Sequence, residues 1–108
     1  MDFDFNEVLA DMLSAVKGEV GEHWEEVKSV ANSFFERRKV RLELLADMRI
    51  QGDINQAKFE KRLEHEQLLA EAEFHAIAVI TKAIAQRAAN AALDVLKKAV
   101  KAAMDAAL

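Results

Sequence analysis

The sequence predicts an all-α protein: a long antiparallel helical hairpin that dimerises into a four-helix bundle. Three observations point to it. The chain of 108 residues has no proline, and its only glycines are Gly18, Gly21 and Gly52. Apolar residues recur at three- and four-residue spacing through most of its length. From Asn55 to Leu108 no residue is able to end a helix. Abundant alanine and the absence of tyrosine also favour helix over strand.

Helix one is expected over about 4–51. Asp4 and Glu7 have capping-box spacing, and Phe3 and Val8 stand where a hydrophobic staple would form. Val8, Met12, Val16, Val20, Trp24, Val27, Ala31, Phe34, Leu45 and Met48 then make one helical seam. Gly52 suits the left-handed residue that closes a helix. The turn is expected at about 52–54 and helix two over about 55–107, with Asn55 as its N-cap. Its seam runs Phe59, Leu63, Ala70, Ile77, Ile80, Ile84 and Ala91. The whole chain, 1–108, reads as a single domain. Such a hairpin would be roughly 70 Å long at 1.5 Å per residue.

A turn near Gly52 pairs residues whose numbers sum to about 104, which brings residue 4 opposite residue 100 or so. The charges suit that pairing. Segment 1–26 carries a net −7 and its partner 82–108 a net +3; segment 27–51 carries +3 and its partner 52–81 carries −3. Complementary charges of this kind serve register and orientation more than stability. Gly18 and Gly21 fall opposite Ala83 and Ala85, so close helix approach is expected there, with a break at the glycines, giving a three-helix monomer, as the alternative.

Several function classes lose support at this level. The net charge is −4, and phosphate binding wants a basic surface, so nucleic acid is not an expected partner. With no cysteine, thiolate metal sites and cysteine nucleophiles are excluded. The acidic start, Met1-Asp2-Phe3-Asp4, lacks the basic region of a signal peptide. No apolar run approaches the ~20 residues of a spanning helix. A soluble, cytoplasmic protein is expected. Ser14, Ser29 and Ser33 have no histidine and acid spaced to activate them, and no phosphate-binding glycine loop exists.

Two constellations are candidates for a site. Four-helix bundles can hold di-iron or di-manganese centres on inward glutamates and histidines. Here Glu19 with His23 and Glu71 with His75 stand one helical turn apart, and His23 and Glu26 give the reversed order. These five residues are the metal candidates, against the plainer reading of solvated i,i+4 pairs. In a straight hairpin the two histidines would lie roughly 9 Å apart along the axis. The second constellation is Arg38, Arg41, Glu66 and Glu73, charged residues at seam positions. The register sets Arg38 against Glu66, so the four are expected to form a buried polar network that fixes how the helices meet.

Phe35, Val40, Leu42 and Leu44 flank the main seam of helix one, more apolar surface than one hairpin covers. The functional expectation is therefore a non-enzymatic module that self-associates, with no cofactor and with a second copy of the chain as partner. The first alternative is a ferritin-like carboxylate and histidine metal-binding bundle. The second is an amphipathic binder of membrane surfaces through the basic stretch Lys82, Arg87, Lys97, Lys98 and Lys101.

Overall fold

The computed structural model describes residues 3–76 and 80–107. It is all-helical. The elements are α1 (Phe5–Val20), a single turn of 3-10 helix (Gly21–His23), α2 (Trp24–Ile50), α3 (Gln56–His75) and α4 (Lys82–Ala107). Both expected long helices are thus interrupted, and the longest dimension is 44 Å instead of 70 Å.

Local chemistry explains each boundary. At the start of α1, the Asp4 carboxylate accepts hydrogen bonds from the backbone N–H groups of Asn6 and Glu7, two donors no helical carbonyl can reach. At the end of α2 the Asp53 N–H donates to the Met48 carbonyl and the Gly52 N–H to that of Arg49. That is the Schellman pattern, and it requires the positive φ of 83° that Gly52 adopts. Asn55 Oδ1 then accepts from Lys58 N–H at 2.8 Å and opens α3.

Helix one breaks at Gly21, whose φ of 57° with ψ of −121° lies outside any helical region. The expected close approach at Gly18 and Gly21 is overturned. A methyl group at either would meet nothing within 4 Å, so neither glycine makes room for a neighbour. Gly21 is used for its conformation.

Helix two is interrupted because Ile80 and Thr81 are not helical. Thr81 Oγ1 accepts from Ile84 N–H at 3.2 Å, so α4 has its own cap. The chain here reads Ile77-Ala78-Val79-Ile80-Thr81, four β-branched residues in five, which is the weakest helix-forming stretch of the second half. Ile77, expected in the seam, lies outside the described residues.

With both helices interrupted, the four pieces pack side by side. α1 meets α2 and α4, and α3 meets α2 and α4. One buried cluster draws on all four: Met12 and Val16 from α1, Phe34 and Leu42 from α2, Leu63 and Phe74 from α3, Leu93 and Leu96 from α4. The driving force is burial, at about 25 cal/mol per Å² of apolar surface. Folding back brings each apolar stripe against others of the same chain. Phe35 and Leu42, surplus in a straight hairpin, become core. α1 and α4 share the most extensive contact. To the shared core α4 contributes small residues, with Ala85, Ala88, Ala89 and Ala92 fully buried.

Candidate functional site

Glu66, on α3, is the one fully buried charged residue among those described. A carboxylate is costly to bury unless paired and hydrogen-bonded. Glu66 is both. Arg38 of α2 donates from Nε to Oε1 at 2.8 Å and from Nη2 to Oε2 at 2.5 Å, a two-pronged bond that matches fork to fork. Arg41, one turn further along α2, brings its Nε to 3.4 Å from Glu66 Oε2. Hydrogen bonding to Glu66 raises the Arg38 guanidinium above its ordinary pKa. Desolvation opposes the rise, and the charges of Glu66 and Glu73 add to it. Among the described residues no buried side-chain nitrogen or oxygen lacks a hydrogen-bond partner.

The fourth candidate of this group, Glu73, goes elsewhere. It pairs with Arg37. The Arg37 guanidinium also sits 5.9 Å from the centre of the Phe34 ring, within cation–π reach. Arg37 was readable as the residue one turn before Arg41, on the same side of α2. The seam pattern hid it because its own position is solvent-facing. Beneath these ion pairs Phe34, Phe35 and Phe74 form a buried aromatic cluster, with ring centres 5.2 to 6.5 Å apart and edges turned to faces.

The other candidates are spread out. His23 lies in the 3-10 turn, with Glu22 at 4.0 Å as its acidic neighbour. Glu19 lies 3.7 Å from Arg87 of α4. Glu26 is exposed on α2; Glu71 is half-buried on α3, and His75 ends that helix, exposed. Among the described residues no group of three or more histidines, aspartates and glutamates is arranged to hold a metal ion.

The outer side of α2 and α3 is different in character. Val40 is 79% exposed, Leu44 56% and Leu68 56%. Val40 and Leu44 stand one turn apart on α2, away from the buried Leu42 and Leu45. Of the apolar residues that flank the first seam, Phe35 and Leu42 went into the core, while Val40 and Leu44 remain outside.

Comparison with protein-family models, curated proteins and solved structures finds no match.

Proposed function

We propose that this chain is a non-enzymatic interaction module, a four-helix bundle closed within one chain, that self-associates through the outer side of α2 and α3. The observation that carries this reading is the exposure of Val40, Leu44 and Leu68 on neighbouring helices, since large apolar side chains left in water are candidates for contact surfaces.

A second copy of the chain suits that surface by charge. Residues 27–51 carry a net +3 and residues 52–81 a net −3. A two-fold axis through the face lays α2 of one copy over α3 of the other, so unlike charges meet twice around an apolar centre. The Arg38–Glu66 fork beneath ties the two helices together, which keeps the face in one shape before contact.

Sedimentation velocity over a range of concentrations tests this. The unmodified chain is expected to sediment as a dimer at high concentration and to dissociate on dilution. The double variant Val40→Glu/Leu44→Glu is expected to remain a monomer with an unchanged circular dichroism spectrum. A strictly monomeric unmodified chain at every concentration would overturn the reading.

A further inference from the structure

A second feature lies at the end of the molecule that carries the α2–α3 turn, and it is independent of the Val40 face. A groove of about 500 Å³ opens between the start of α3 and the last turns of α4. Its floor is apolar: Phe59 and Val100 are each 1% exposed, and Met104 is half-buried. Its rim is basic. Arg49, Lys97, Lys98 and Lys101 line it against two acids, Glu60 and Asp105, in a chain whose net charge is negative.

We propose that this groove binds a single-chain anionic amphiphile, a carboxylate or similar head group carrying an unbranched apolar tail. The volume falls in the range of small-molecule sites, about 300–1,000 Å³, which suits one chain. Met104 and the alkyl stems of the rim lysines supply the apolar contact, above the buried Phe59 and Val100. Met104 is unbranched and adaptable, able to follow a tail that has no fixed shape.

The rim supplies the head-group contact. Arg49 is already held in place, donating from Nε to Gln56 Oε1 at 2.9 Å and from Nη1 to the Ile54 carbonyl at 3.3 Å. The lysines are on flexible stems and exchange partners readily. Lys97 lies 3.9 Å from Glu60, Lys98 3.3 Å from Asp94 and Lys101 2.9 Å from Asp105, all pairs with substantial exposure. Surface pairs of this kind are weak, so an incoming anion competes with them on even terms.

A free amphiphile fits better than a membrane surface. The apolar side of α4 that a bilayer would need, Leu93, Leu96 and Val100, is buried in the core. What remains open is a slot between two helices, which admits a chain but does not lie flat on lipid.

The test is titration of the full chain with decanoate, kept monomeric, followed by methyl resonances of Val100 and Met104. Saturable shifts at these methyls are expected, with decanol binding more weakly. The exposed double variant Lys98→Gln/Lys101→Gln is expected to lose about tenfold in decanoate affinity with its fold intact. Met104→Trp, which fills the groove, is expected to abolish the shifts. Decanol binding as tightly as decanoate would overturn the proposal. So would shifts confined to Val40, Leu44 and Leu68, absence of saturable shifts, or binding to anionic vesicles without binding to free decanoate.

Discussion

The α1–α4 contact and the α2–α3 contact hold the same molecule together with opposite chemistry. On α4 the means are small: it buries Ala85, Ala88, Ala89 and Ala92, and its most extensive contact is with α1. Between α2 and α3 the side chains are long and charged, with Glu66 buried under Arg38 and Arg41 and with Arg37 reaching Glu73. Alanine gives closeness with little preference, because a single methyl group offers a neighbour neither bulk nor charge to lock onto, here against the larger Val8, Met12 and Val16 that α1 buries. An ion pair gives preference at the expense of desolvation. The molecule uses its only fully buried charge, among the described residues, in the helix pair whose outer face also carries the exposed valine and leucines.

The largest effect that separates the two contacts is expected from Arg38→Ala. It leaves the Glu66 carboxylate buried, with only the half-exposed Arg41 at hand, and should cost about 3–5 kcal/mol in a denaturant titration. A loss below about 0.5 kcal/mol, the range of neutral surface substitutions, would show that Glu66 finds water and that the contact is not governed by burial.

The α1–α4 side is probed by Ala92→Leu. Added bulk in a closely packed core should cost about 1–3 kcal/mol by the same titration. A neutral result would mean that the alanines leave slack and that closeness is not what α4 supplies.

A pair of effects of opposite sign, the second of them the smallest, concerns the break between α1 and α2. Gly21→Ala places a side chain at a φ and ψ that only glycine tolerates, and should lose about 1–3 kcal/mol. Gly18→Ala adds a methyl group to open space inside α1 and should gain up to about 1 kcal/mol. Thermal unfolding of the two variants side by side reads the difference. Equal shifts in the two would mean that the chain passes Gly21 without the turn described.

Much of the local structure was legible in the residues. Asp4 and Asn55 are short polar side chains at helix starts, and Gly52 alone could take a left-handed φ at the end of α2. Each acts through its nearest neighbours in the chain, so the local sequence decides it. Arg38 opposite Glu66 was also legible, because a tight turn makes register a matter of counting. The fold-back was not. Gly21 is compatible with a kink, a close approach or a reversal, and Thr81 looks like any threonine inside a helix. What decides among these is whether apolar stripes are covered by the same chain or by another, a quantity summed over the whole molecule. Arg37 escaped notice for a related reason. It pairs across the rim of the contact, outside the apolar periodicity that marks a seam.

The fork between Arg38 and Glu66 also acts as an error check on assembly. Sliding either helix by one residue moves its side chains by about 1.5 Å along the axis and swings them by roughly 100°. An apolar pair tolerates such a slip by finding new neighbours. A fork whose two prongs must meet two oxygens does not, and a slipped chain would be left with a bare carboxylate in oil. Misaligned forms are therefore penalised at one point, by a pair that leaves no second register equally satisfied.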